Sequence, residues 1–153
     1  MTTISETSAL DQQNLKVLEK NKQVIQNCVE EFWNKGDINT YEKFFSPDLV
    51  THSPDGDRDF FTYKQLCEAY FKAFPDLKIF SVEIIAERDL AVKQWIAKCT
   101  HQGELMGIPA SGNQVEITGN ELFRLKDGKF TEIWINMDNL GLLQQLGAIP
   151  ANP

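Results

Sequence analysis

The sequence predicts an α+β fold in which helices gather against one face of an antiparallel sheet. Three observations predict it. Apolar residues recur at helical period from Val17 to Phe74, with short polar breaks between the periodic stretches. From Leu77 the period changes to two, as half-buried strands require. No internal repeat or low-complexity segment interrupts this order. The chain of 153 residues suits one domain, and at that size about 68–70% of the unfolded surface can be buried. Ten Phe, three Trp and three Tyr supply the bulk for a core.

Residues 1–13 are polar and aperiodic, and are expected to form a disordered or loosely held tail. The domain is expected over 14–147, with a second short tail at 148–153. A long helix over roughly 14–35 follows from Val17, Leu18, Val24, Ile25, Cys28, Val29, Phe32 and Trp33, a stripe that Asn21 interrupts. Gly36 stands where a left-handed C-cap belongs, and Asp37 can cap a short helix through Phe45. Ser46-Pro47-Asp48 predicts a turn, Leu49–His52 a short extended run, and SPDGDRD a loop. Thr62-Tyr-Lys-Gln65 has capping-box spacing and opens a helix whose face is Leu66, Tyr70 and Phe74, with Ala69 and Ala73 beside them. Pro75 ends it.

Two strands are expected at 77–87 and 90–101, turned at Arg88-Asp89. In the second, the bulkier row is Ala91, Trp95, Ala97, Cys99 and His101. Loop 103–113 contains glycines and a proline, but also Leu105, Met106 and Ile108, an apolar tip expected to fold over something. The last hairpin surrounds Lys126-Asp127-Gly128-Lys129. A two-residue turn would pair Glu121 with Trp134; a three-residue loop with a Gly128 bulge would pair it with Ile133. The second puts Thr131, Ile133, Ile135 and Met137 in the inner row, the more apolar choice, and is preferred. Asp138 or Asn139 then caps a final short helix, LGLLQQL.

Glu121 breaks a local rule. Its strand row otherwise holds Val115, Ile117, Phe123 and Leu125, and such breaks are where sites are expected. Desolvation disfavours an ionised carboxylate, so a carboxyl group held in an apolar cavity can exchange a proton near neutral pH. The alternative is a buried Glu paired with Lys, Arg or His in a purely structural role.

Several function classes are disfavoured by totals. The formal charge of −7 argues against nucleic acid and against an anionic membrane surface. No apolar run approaches the roughly 18–20 residues of a membrane span. The start MTTISETSALDQQ has neither basic n-region nor apolar h-region, so no signal peptide is expected. Cys28, Cys67 and Cys99, without CxxC spacing, fit a reducing cytoplasm rather than disulfides or zinc. His52 and His101 are the only histidines, and two without partners at ligand spacing do not make a metal site. A small hydrophobic molecule is the partner that remains.

Six phrases carry a resemblance: Phe32-Trp33-Asn34-Lys35-Gly36-Asp37, His52-Ser53-Pro54, Phe74-Pro75-Asp76-Leu77, Thr100 to Pro109, Phe123-Arg124 with Asp127-Gly128-Lys129, and Leu142 to Gly147. Together, and in this order, they resemble the SnoaL-like polyketide cyclases over about residues 20–147. The resemblance implies a nuclear transport factor 2-like cone, a curved sheet wrapped on helices around a deep pocket. It further implies intramolecular aldol cyclisation without cofactor or metal, with an aspartate in the last strand as acid/base and a histidine from the strand before it. Aligned on the Asp127-Gly128-Lys129 turn, the aspartate's position holds Ile135 and the histidine's holds Glu121.

The candidate catalytic residues are therefore Glu121, His101 and His52. Trp33, Tyr70, Phe74, Trp95, Met106, Phe123, Ile133 and Ile135 are expected to line a pocket for an apolar ligand. Asn120 and Asn136 are expected on the opposite sheet face. A ligand-binding protein without turnover, and an isomerase or hydrolase on the same fold, stay open. The resemblance also implies a homodimer through the outer sheet face, where Val92, Ile96, Leu122 and Trp134 are expected.

Overall fold

The computed structural model describes residues 4–151, with side chains from residue 8 onward; residues 1–3, at the head of the expected tail, lie outside the described residues. The elements run α1 (Ile4–Cys28), a π turn (Val29–Trp33), a 3-10 turn (Ile38–Thr40), α2 (Tyr41–Phe44), β1 (Phe45–Ser53), β2 (Gly56–Asp59), α3 (Phe60–Ala73), β3 (Lys78–Glu87), β4 (Leu90–Thr100), β5 (Gln114–Lys126), β6 (Lys129–Met137) and α4 (Asn139–Gln145). The six strands form one curved, unclosed sheet in the order β2-β1-β6-β5-β4-β3. All pairings are antiparallel except β1 with β6, which is parallel.

The helices cover the inner face as predicted, but several boundaries differ. Helix α1 starts at Ile4, so residues expected as tail are helical. Leu10, Leu15 and Val17 along it are exposed. Lack of periodicity argued against burial, whereas Ala, Leu, Glu, Gln and Lys still favour a helix without a packed face. The π turn, marked by the Asn34 amide donating to the Val29 carbonyl at 2.8 Å, inserts one extra residue before Gly36. Asp37 caps the 3-10 turn by accepting from the Asn39 amide.

Ser46-Pro47-Asp48 lies within β1, and a register shift between Phe45 and Val50 absorbs the proline. The SPDGDRD segment is not a plain loop. It closes a hairpin in which Ser53 faces Gly56, His52 faces Asp57 and Thr51 faces Arg58. Helix α3 begins three residues earlier than expected: Asp59 is the N-cap, its carboxylate accepting from the Thr62 amide at 2.8 Å while Thr62 Oγ1 accepts from the Asp59 amide at 3.0 Å. An aspartate caps at least as well as threonine, and starting there carries Phe60 into the core. Ala69, expected beside the buried face, is exposed, and Tyr63 and Cys67 are buried instead.

The final hairpin has neither of the two expected registers. Lys126 pairs with Lys129 around a two-residue Asp127-Gly128 turn, both residues having positive φ (51° and 75°). A register shift between Arg124 and Leu125 then moves the pairing, so that Phe123 faces Ile133 and Glu121 faces Ile135. The bulge leaves Thr131 out of the inner row and puts Phe130 in its place. Ile133, Ile135 and Met137 keep the inward positions that the apolar pattern assigned them.

Two packed clusters fill the space under the sheet. One centres on Phe32, Tyr41, Phe45, Phe60 and Phe130; the other holds Phe74, Trp95, Ala97, Cys99, Ile117 and Leu142. In the first, Tyr41 stacks on Phe45 at 4.4 Å and donates its hydroxyl to the Phe60 carbonyl at 2.9 Å. On the outer face Val92 is exposed, together with Phe80, Val82 and Ile85. Asn120 and Asn136 lie on that face, as expected.

Candidate active site

A cavity of about 370 Å³ lies between the sheet, the π turn after α1, and helices α3 and α4. That volume falls in the range of small-molecule pockets. Trp33 enters from the π turn, Tyr63, Leu66, Cys67 and Tyr70 from α3, Trp95 and Ala97 from β4, Ile117 and Glu121 from β5, and Ile135 and Met137 from β6. Met106 and Ile108, at the tip of the 103–113 loop, close one side. Met106 has φ 51° and Gly107 φ 77°, so the tip is a tight turn tied by Leu105 and Ile108, with Leu105 buried beneath it. The apolar loop tip does fold over something: the cavity.

Glu121 is 8% exposed and reaches the cavity wall. Its carboxylate is 2.9 Å from the ammonium of Lys93, which is 2% exposed. Strand pairing sets the two directly opposite each other on β4 and β5. Lys93 does not line the large cavity. It borders a small void of about 10 Å³ behind Glu121, with Cys28, Phe123 and Ile133. Its ammonium lies over the rings of Phe123 (5.5 Å) and Trp95 (6.0 Å). The alternation that puts Ala91 and Trp95 in the inner row also puts Lys93 between them, and that was the signal sequence reasoning passed over.

Most of the other polar groups around the cavity are donors; Asp55, at the rim, is a carboxylate. Burial pushes Tyr70 up to about 12 and raises Tyr63 and Cys67 well above their ordinary values, so all three keep their protons at neutral pH. Among the described residues the Tyr70 hydroxyl has only a long contact, to Met137 Sδ at 3.9 Å. The Trp95 indole nitrogen has no hydrogen-bond partner among the described residues. Gly119 makes room for that ring: a Cβ there would lie 2.5 Å from Trp95 Cζ2. At the β1–β2 hairpin, Arg58 donates to Ser53 Oγ at 2.9 Å and to Asp55, which it holds down at about 2. Arg58, Asp55, Ser53 and Asn139 give that part of the cavity a polar rim.

Of the expected site residues, Glu121, Trp33, Tyr70, Trp95, Met106 and Ile135 line the cavity. Phe123 and Ile133 border the small void instead, and Phe74 is packed in the core. His101 is fully buried but lies outside the cavity. It is eight residues along β4 from Lys93, roughly 26 Å at strand rise. Its Nδ1 accepts from the Ser111 amide at 3.1 Å and is 2.9 Å from Ser111 Oγ, so it braces the loop after β4. His101 and Glu121, both candidate catalytic residues, are therefore not brought together: they share the inner face but lie far apart along the strands. His52 is on the outer face, between Asp57 (3.0 Å) and Glu132 (2.9 Å) and stacked on Trp134. Its side-chain parity in β1 turns it away from the helices. Asp138 is a helix cap, accepting from the Gly141 amide at 2.8 Å. Among the described residues no three His, Cys, Asp or Glu side chains gather as a metal site would need, and no helix is long and apolar enough to cross a membrane.

A model of the SnoaL-like polyketide cyclase family matches residues 23–146, the span that contains every cavity-lining residue. The chain belongs to the SnoaL-like polyketide cyclase family. Solved structures agree. AclR from Streptomyces galilaeus, provisionally described as a hydroxylase, is 34% identical with a TM-score of 0.82, over 89% of this chain and 86% of that one. IdmH from Streptomyces antibioticus, provisionally described as a polyketide cyclase, is 30% identical with a TM-score of 0.72, over 83% and 98%. A SnoaL-like protein from Jannaschia sp. CCS1, 21% identical with a TM-score of 0.78 over 86% and 94%, shows the shared fold. No curated protein gives a match. The fold is thus the nuclear transport factor 2-like cone that the resemblance implied. Ile135, which the resemblance set at the place of the family's acid, faces Glu121 directly in the observed register. The carboxylate stands one strand over, on the same inner face.

Proposed function

We propose that the protein is an acid/base enzyme that forms an enolate from a small hydrophobic carbonyl compound and closes a ring by intramolecular aldol addition. One observation carries the proposal: the cavity wall is largely apolar, and Glu121 is the buried carboxylate on it among the described residues, Asp55 standing exposed at the rim and held by Arg58. In this reading Glu121 takes the proton beside a substrate carbonyl. The resulting carbanion adds to a second carbonyl of the same molecule, and the new alkoxide recovers the proton from Glu121. The product is an isomer of the substrate, and the chain's own groups suffice for each proton transfer. Donors such as the Tyr70 hydroxyl are available where oxygen charge develops.

The likeness to AclR supports a second reading, in which the same enolate is attacked by molecular oxygen as co-substrate, one oxygen atom staying on the product and the other leaving as water with two electrons and two protons from an external reductant. Both begin at Glu121, and product mass separates them, since cyclisation leaves it unchanged and hydroxylation adds one oxygen atom. The test is turnover of a polyketide β-keto ester by Glu121→Gln. A fall of about 100-fold or more in kcat is expected for loss of a general base. Unchanged turnover would remove Glu121 from the chemistry, whereas binding without turnover by the wild-type protein would leave ligand binding as the function of the cavity.

A further inference from the structure

Lys93 has so far only stood beside Glu121, and its surroundings ask for more. Its charged partner is that one carboxylate, and its other near neighbours are the ring faces of Phe123 and Trp95. An ammonium so placed is tolerated only while a negative charge stands close by. In the free protein Glu121 supplies it.

Consider what a proton transfer does to that balance. The substrate C–H bond breaks, an O–H bond forms on Glu121, and the electron pair passes to the substrate's carbonyl oxygen. Glu121 is then neutral, and the negative charge has moved into the cavity, one carboxyl group farther from Lys93. Arg58, the cation that lines the cavity, is held by Asp55 at the rim. Apolar walls from Trp33, Leu66, Ile117, Ile135 and Met137 screen the remaining attraction weakly.

We propose that Lys93 is a positioning residue whose buried ammonium, acting through Glu121, stabilises an oxyanion formed in the cavity. The proposal rests on Glu121 as the base, and it assigns the residue that keeps a counter-charge near the oxyanion once Glu121 is neutral. It also gives the pairing of Lys93 with Glu121 a purpose other than structural, because the same cation serves two successive anions.

The test uses naphthols, whose ionised and neutral forms differ in absorbance, and so needs no turnover. A series of substituted 2-naphthols of graded acidity is bound at constant pH to the wild-type protein, to Glu121→Gln, and to Lys93→Met/Glu121→Gln. Only Lys93 differs between the two variants, and neither leaves an unpaired buried carboxylate. In Glu121→Gln the bound naphthol is expected to ionise at a pH where the free compound is neutral. In the double variant it stays neutral, and the most acidic member binds about 100-fold more weakly, the size of effect seen on losing one oxyanion contact. Wild-type affinity is expected to rise with naphthol acidity. A flat wild-type series, or the same ionised fraction in both variants, overturns the proposal. Unchanged turnover in Glu121→Gln would instead sink the assignment of the base, so the two failures are distinguishable.

Discussion

One sheet carries two charge clusters, and they obey different physics. On the inner face Lys93 and Glu121 form a single pair with almost no exposure to water. On the outer face a chain of ionic contacts runs from Asp57 through His52, Glu132 and Arg124 to Asp89, with distances of 2.7 to 3.3 Å. Geometry alone would rank the two alike. The difference lies in the medium: outer charges exchange water for each other at little gain, whereas inner ones have given up water and hold only each other. Ionic contacts on the outer face therefore tolerate loss, and the inner pair does not.

The sharpest way to break this contrast is to remove one inner partner. Lys93→Met or Glu121→Leu alone should cost about 3–5 kcal/mol, and the combined Lys93→Met/Glu121→Leu should recover most of it, because no uncompensated charge remains. Urea unfolding of the three variants measures this. A double variant no more stable than either single one would show that the pair holds the fold by packing rather than by charge balance.

A middle-sized effect is expected at Gly119, which neighbours the inner pair on β5 without carrying charge. Gly119→Ala places a methyl group against Trp95, whose ring must shift, at a cost of about 1–3 kcal/mol. A lowered Tm with altered tryptophan fluorescence is the expected outcome. Unaltered fluorescence would show that the wall of the cavity yields elsewhere.

The smallest effect belongs to the outer cluster, and it depends on pH. Hydrogen bonds to Glu132 and then to Asp57 raise His52 above its ordinary value of 6.5. The stability it contributes is therefore complete below 6.5 and is lost as pH rises through the raised folded value. Glu132 is lowered from 4.5, chiefly by His52, so its share is present above 4.5 and is lost as pH falls through the lowered folded value. His52→Gln should accordingly lower Tm most between pH 4.5 and 6.5, and least in alkali, where His52 is neutral in either state. A Tm difference independent of pH would assign the loss to stacking on Trp134 instead.

Much of the fold was legible because periodicity reports burial. The inward rows of β4 and β5, the cap at Asp138, the left-handed Gly36 at φ 59° and the turn at Arg88 are each local facts with local causes. The site was legible in part for the same reason. Glu121 in an apolar row could be found by alternation alone, and so could Lys93 had the row been followed through position 93. What could not be read was reach along the row. His101 and Glu121 share a face, yet β4 carries His101 to the far end, where it binds Ser111.

By itself the sequence determined the layered α+β architecture, the inward carboxylate and the family, since each follows from which residues alternate and in what order. The tertiary structure alone decided which strand positions face each other. The bulge between Arg124 and Leu125 shifts the last hairpin so that Glu121 meets Ile135. The pairing of β4 with β5 sets Glu121 against Lys93. A bulge or a cross-strand pair is fixed by the fit of two distant segments under the curvature of the whole sheet, and residue order in one strand carries no record of it.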